Sequence, residues 1–531
     1  MISVIAAGDV PGLIPDGATV MLTGITLGGF AEEAMVELEK SFLATGAPRD
    51  LTFYFQSGVG NRKDRGLAYV AREGLMKRAV GGHIMGCGPA LVELCRDDRA
   101  EVYNLPQGVM ATMCRYIAAR KPGVITKVGL GTMVDPRLGG GKMNSRTRDC
   151  EDLVEVVTLL GEEWLLYRLP RLDVALIRGT EADERGNVTL SHEGYQLGQL
   201  AAAQAARACG GIVICQVERI VKSGTLHPKA VRVPGILIDH VYVARPEYHW
   251  QTAQTPYNPV FSGEARVPLD AMPVEKLSMR KVIARRATME LAPGMVVNLG
   301  VGIPEAVSSV AAEEGVGDAF TLTTEAGAVG GLPAGGHDFG CAWNPEATLE
   351  MADQFDFYDS GGLDLAVLGC LQVAPNGDVN ASMRDGGGIG VGGFINVAQG
   401  AKRIVFAMTF TGGLDAGDGA KVRIGDGRLE VGEEGNRKKF VRSIEQITFN
   451  AEQALRNGQE VRYVTERAVF RLSARGLVLT ELAPGVDLEL DVLAQMEFAP
   501  IVADRLGVMP PEIFQETWDG LGPIVAAAQA K

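Results

Sequence analysis

At 531 residues the chain is too long for one ordinary core, and two or more domains are expected. Its 46% hydrophobic and 22% charged content is that of a soluble globular enzyme, and a formal net charge of −14 argues against a nucleic-acid-binding protein, which carries a basic domain or stripe. No window approaches the roughly 20 apolar residues of a membrane span, the amino terminus lacks the features of a signal peptide, and neither a C-x-x-C pair nor an H-E-x-x-H motif points to metal. A cytoplasmic protein with reduced thiols, no membrane contact and no metal is therefore expected.

Along the chain, 18–22 reads as a strand, Gly28-Gly29 as a tight turn and 32–42 as a helix, with a second strand at 51–56. Tyr103-Asn104-Leu105-Pro106-Gln107-Gly108 precedes a helix over 109–119. Strands at 174–178 and 212–217 flank an alanine-rich helix over 198–208. This alternation predicts parallel βαβ units. The stretch 245–273 is rich in Pro, Tyr and Asn and has neither period, so it reads as a connection lying over the surface.

Helical spacing resumes over 276–290, and a strand at 295–299 leads into Gly300-Val301-Gly302-Ile303-Pro304. Backbone N–H groups at the helix start that follows attract anions. The β-branched, apolar run 320–324 reads as a buried strand ending at Glu325, and a loop that is half glycine, 326–336, comes next. A carboxylate held at such a mouth can be desolvated enough to attack an electrophile. Gly388, Gly390 and Gly393 satisfy G-x-G-x-x-G, yet the strand at 403–408 follows too soon for a dinucleotide-binding crossover helix. Beyond Glu481 a small helical cap is expected.

The second half echoes the first. Pro15-Asp16-Gly17-Ala18-Thr19-Val20 is matched by Ala292-Pro293-Gly294-Met295-Val296-Val297. Leu172-Asp173-Val174-Ala175-Leu176 is matched by Leu363-Asp364-Leu365-Ala366-Val367, and Gly186-Asn187-Val188 and Gly377-Asp378-Val379 follow at equal distances. The fold class is accordingly α/β, with two related open α/β domains and an active site at their interface.

Several runs together resemble the family I coenzyme A transferases, over nearly the whole chain: Thr324-Glu325 with Gly327, then Gly330-Gly331-Leu332-Pro333-Ala334-Gly335-Gly336 and Phe339-Gly340. Gly129-Leu130-Gly131-Thr132-Met133-Val134-Asp135-Pro136-Arg137 and Gly140-Gly141-Lys142-Met143-Asn144 are similar to further runs of that family. The nearest subgroup is the single-chain acetate/propionate type, in which two subunit-like halves are fused. The resemblance implies an alpha-like domain over 1–245, a linker over 246–275, and a beta-like domain over 276–531 that carries the glutamate.

It further implies ping-pong transfer of CoA from a short-chain acyl-CoA to a free carboxylate, through a thioester on Glu325. Gly300, Val301, Gly302, Ile303 and Pro304 would contact CoA, as would Gly388, Gly390 and Gly392. Gln107, Gly392 and Gly393 would serve the acyl site as oxyanion donors. CoA is then a co-substrate, with no permanently bound cofactor, and a homodimer or homotetramer is expected. His337 lies inside the signature but has no proton to abstract from an ionised carboxylate, so loop packing is its expected role. An acyl-CoA hydrolase on the same scaffold, or a transferase for 3-oxo, hydroxy or aromatic acids, stays open.

Overall fold

The computed structural model describes residues 2–268, 275–413 and 419–529. The first half is built on an eight-stranded, wholly parallel sheet. In spatial order its strands are Ser3–Val4, His240–Val243, Ile212–Val217, Val174–Arg178, Thr19–Leu22, Leu51–Phe55, Met76–Gly81 and Glu101–Asn104. The central strand Val174–Arg178 is buried along its whole length, which is why it reads as a continuous apolar run rather than an alternating one. The helix Glu32–Thr45 stops at Gly46, whose φ of 76° is the left-handed conformation that glycine adopts without strain. The small side chains of the helix Gln199–Cys209 let it pack closely on the helix Gln107–Ala118.

The second half is built on a ten-stranded sheet. Five of its strands form a contiguous parallel run, in the order Thr321–Thr323, Val296–Leu299, Leu365–Leu368, Arg403–Ala407 and Glu460–Val464. The internal repeat is visible in the strand order: Ile212–Val217, Val174–Arg178, Thr19–Leu22 and Leu51–Phe55 lie side by side, as do Arg403–Ala407, Leu365–Leu368, Val296–Leu299 and Thr321–Thr323. A shared hydrogen bond marks the same register. The Thr19 N–H donates to Asp173 Oδ2 and the Val296 N–H donates to Asp364 Oδ2, each at 2.9 Å.

Two expectations need correction. The tail is not simply a helical cap. After two short helical turns, Leu488–Val492 and Leu493–Gln495, the segment Ile501–Val508 adds an edge strand parallel to Gly476–Leu482, and a helix follows over Leu521–Gln529. The connection after Arg245 does not merely lie over the surface either. Gln251, Thr252, Val260 and Phe261 are buried, and Phe261 packs edge-on against Trp343 with ring centroids 5.0 Å apart. Its polar groups find partners inside: Gln251 Nε2 donates to the His192 carbonyl at 2.8 Å, and the Thr252 hydroxyl donates to Asp338. Residues 269–274 of the expected linker lie outside the described residues.

The two halves share their cores. Val391 and Ile395 are buried in the hydrophobic core of the first half, and Ile25, Ala111, Tyr195 and Leu197 join a core of the second.

Candidate active site

The strand Thr321–Thr323 delivers Glu325 to the boundary between the halves. Three buried polar groups brace the strand from behind. Thr323 Oγ1 donates to the Val297 carbonyl at 3.0 Å, the Tyr358 hydroxyl donates to Thr323 Oγ1 at 2.9 Å, and Asn298 Nδ2 donates to the Tyr358 hydroxyl at 3.2 Å. Thr324 then closes the turn. Its N–H donates to the Ala328 carbonyl at 2.9 Å, and its hydroxyl donates to the Gly340 carbonyl at 2.8 Å. Gly327, at φ 107°, lies so close to the Leu349 carbonyl that a Cβ would collide with it, so this turn needs glycine on two counts.

Glu325 is buried, at 8% exposure, and no Lys or Arg among the described residues forms an ion pair with it. Burial pushes its carboxyl up to about 7, against a hydrogen bond from the Gly393 backbone that lowers it. The contact with Gly393 is intimate: a Cβ there would sit 2.5 Å from Glu325 Cδ.

Gly393 belongs to the loop between the short strand Gly387–Gly388 and the helix Phe394–Gly400. This loop is clamped into the first half. The Ile84 and Met85 N–H groups donate to the Ile389 carbonyl at 3.1 and 2.9 Å, and the Gly392 N–H donates to the Gly82 carbonyl at 2.7 Å. The Gln107 N–H donates to the Gly392 carbonyl at 2.9 Å, and the Val391 N–H donates to Asn104 Oδ1 at 2.8 Å. The Gly392 N–H is therefore already engaged within the protein, while the Gly393 N–H faces Glu325 itself.

Around these groups lies a cavity of about 390 Å³ with walls from both halves. It brings Glu325 together with Gln107, Gly300, Val301, Ile303, Gly390, Gly392 and Gly393. Gly302, Pro304 and Gly388 do not line it. Gly302, at φ 91°, instead shapes the turn into the short 3-10 segment Ile303–Glu305, and a Cβ on Gly388 would press on Met143 at 2.7 Å. His337 stands outside the cavity as well. The Gln107 side chain is buried, and its Nε2 donates to Met351 Sδ at 3.2 Å.

The cavity wall also holds residues that sequence reasoning did not single out: Arg62, His83, Arg384 and Lys439. Lys439 Nζ donates to Thr409 Oγ1 at 2.8 Å, and burial lowers the ammonium pKa. His83 Nδ1 accepts the Gly86 N–H at 3.0 Å, and burial, with a smaller repulsion from Arg62, lowers its pKa to about 4. No local pattern marks these positions, because the wall forms only when segments from the two halves meet. Among the described residues no group of three or more His, Cys, Asp or Glu is arranged to hold a metal, and no helix is long and apolar enough to cross a membrane.

Residues 6–244 match the family model described as coenzyme A transferase. The caffeate CoA-transferase of Acetobacterium woodii is 45% identical over 531 residues, covering 99% of this chain and 100% of that one. The chain belongs to the family I coenzyme A transferases. The acetate CoA-transferase YdiF of Escherichia coli K12 is 41% identical, covering 97% of this chain and 95% of that one. A crystal structure of the E. coli O157:H7 YdiF enzyme as a thioester complex with CoA superposes with a TM-score of 0.91 at 40% identity, covering 98% and 97% of the two chains. This transferase thus moves CoA between an acyl-CoA and a carboxylate, with CoA as co-substrate.

Proposed function

We propose that the enzyme transfers CoA from a short-chain acyl-CoA to a free acid of the acetate or propionate type, by ping-pong chemistry on Glu325. The observation that carries this reading is a buried carboxylate, without an ion-pair partner among the described residues, pressed against Gly393 in a cavity shared by both halves. The Glu325 oxygen attacks the thioester carbonyl, and the tetrahedral oxyanion collapses to a mixed anhydride with release of CoA thiolate. The thiolate attacks the Glu325 carbonyl, which frees the first carboxylate and leaves CoA on Glu325 as a thioester. The acceptor carboxylate then runs both steps in reverse and departs as the new acyl-CoA. Desolvation makes Glu325 a stronger nucleophile than a hydrated carboxylate, and the bound CoA moiety supplies binding energy remote from the reacting carbon. The YdiF thioester complex supports the covalent step by relatedness.

A second reading, transfer to an aromatic acid, is favoured by the caffeate-specific name of the Acetobacterium relative. A matrix of acyl-CoA donors against acetate, propionate and caffeate separates the two. The mechanism is tested by incubating enzyme with acyl-CoA and no acceptor. Mass spectrometry is expected to find CoA on the peptide containing Glu325, and added carboxylate is expected to remove it. Glu325→Gln should lose at least about 10³-fold in turnover while still binding acyl-CoA. Normal transfer without donor-dependent labelling, in rapid-quench samples, would exclude Glu325 as nucleophile. Steady CoA release without any acceptor would instead identify a hydrolase.

A further inference from the structure

The tetrahedral intermediate needs hydrogen-bond donors, and the three groups expected from the sequence are each engaged. The Gly392 N–H donates to the Gly82 carbonyl, the Gly393 N–H faces Glu325, and Gln107 Nε2 donates to Met351 Sδ. Among the donors of the cavity wall, His83 is the one placed against the glycine loop. His83 follows the strand Met76–Gly81 and lines the cavity. Its Nδ1 accepts the Gly86 N–H at 3.0 Å, and a backbone N–H can only donate, so the proton of the neutral ring is on Nε2.

The ring orientation is legible from its neighbours. A Cβ on Gly86 or on Gly58 would meet Nδ1, at 3.1 and 3.4 Å, so that edge faces the protein. A Cβ on Gly392 would meet Cδ2 at 3.6 Å and Gln107 Oε1 at 3.7 Å, so the opposite edge, which carries Nε2, faces the glycine loop beside Glu325. Nε2 has no protein hydrogen-bond partner among the described residues, and it is not a sealed orphan either.

We propose that His83 is a catalytic residue whose Nε2–H donates to the acyl oxygen of the thioester and to the oxyanion formed from it. The proposal rests on CoA transfer with Glu325 as nucleophile. A neutral donor suits this place. An imidazolium would ion-pair with the Glu325 carboxylate and blunt its attack, whereas neutral imidazole stabilises the oxyanion without pairing with the carboxylate. Burial and Arg62 keep the ring neutral across the working range, with its pKa near 4.

The test reads the carbonyl directly. Acetyl-CoA carrying a ¹³C carbonyl is bound to Glu325→Gln enzyme, and its infrared stretch is compared with that of the free thioester. A shift to lower frequency is expected, and at least half of it should disappear in the Glu325→Gln, His83→Phe double variant with acetyl-CoA still bound. In the wild-type background His83→Phe should lower kcat about 10²-fold with acyl-CoA KM changed less than about threefold, and His83→Gln should recover about tenfold by restoring a donor. His83→Leu replaces His83→Phe if the latter does not fold. A carbonyl shift that survives loss of the imidazole, or a donor-free variant keeping more than half of wild-type kcat, overturns the proposal. A loss of kcat accompanied by an unchanged carbonyl shift does so as well, because His83 would then be only structural. Normal turnover by Glu325→Gln would defeat the nucleophile reading alone, since the carbonyl shift reports on His83 independently.

Discussion

A carboxyl group with a pKa of about 7 has opposite consequences for rate and for stability. The nucleophile is the ionised form, so kcat/KM for acyl-CoA is expected to rise with pH and level off above about 7. Stability runs the other way. The unfolded carboxyl ionises near its ordinary 4.5, so between 4.5 and 7 the unfolded state is charged while the folded state keeps its proton. Burial of Glu325 is free of charge cost below 4.5, and the cost grows until it is complete above about 7. Glu325→Gln removes it, and should gain roughly 3 kcal/mol of stability over wild type at pH 8 but almost none at pH 4. Denaturant titrations of both proteins at the two pH values check this, and an equal difference at both would refute the raised pKa. At this scale Glu325 was legible because a strand, an acid and a glycine turn are consecutive in sequence. His83 was not, because its meaning depends on Gly392 approaching it from the other half of the chain. Nor could the sequence indicate that the Gly392 N–H is already taken by Gly82.

The element that decides the geometry of the site is the 388–393 loop. Glycine is required at two of its positions for different reasons. At Gly390, φ is 95° and a Cβ would lie 2.6 Å from the Ile84 N atom, so the requirement belongs to the contact between halves. At Gly393 the obstacle is the Glu325 carboxylate itself. Gly393→Ala should therefore displace Glu325 and cut turnover by about 10² or more, with little loss of global stability, because the flexible carboxylate rather than the core yields. Thermal melts together with kcat separate the two effects, and wild-type turnover in Gly393→Ala would show that Glu325 does not need this contact. The strands around the loop were legible from their β-branched runs, and the expected 403–408 strand is observed as Arg403–Ala407. The strand Ile501–Val508 was not, because an edge strand carries Asp504 and Arg505 and is only partly buried. Its pattern is neither a continuous apolar run nor a helical period.

At the scale of the whole molecule, the internal repeat exposed the two-part plan, but not how tightly the parts interlock. Beyond the glycine loop, the Gly108 N–H donates to Asn396 Oδ1 at 3.1 Å, the Gly129 N–H to Gln399 Oε1 at 2.7 Å, and the Met133 N–H to the Ile447 carbonyl at 2.7 Å. The Gly198 N–H donates to Glu350 Oε2 at 3.0 Å. Val391 and Ile395 add apolar burial across the same boundary. We propose that the halves act as two subunits held by this interface, with the connecting segment serving mainly to raise their effective concentration. Residues 246–268 are kept on the first fragment because Arg178 Nη1 donates to the Trp250 carbonyl at 2.8 Å and Gln251 Nε2 to the His192 carbonyl, while Thr252, Phe261 and Val267 of the same segment contact the second half and form part of the interface. Fragments 1–268 and 275–531, co-expressed, should then assemble into an active transferase, since every cavity wall would be restored without the covalent link. Each fragment alone should be inactive, as Glu325 lies on one and His83 and Gln107 on the other. Dilution should reduce the activity of the assembled pair but not of the intact chain, because only the pair depends on mass action. Activity from the second fragment alone would show that the shared cavity is not required. A co-expressed pair that binds but does not turn over would show that continuity of the chain is itself part of the site.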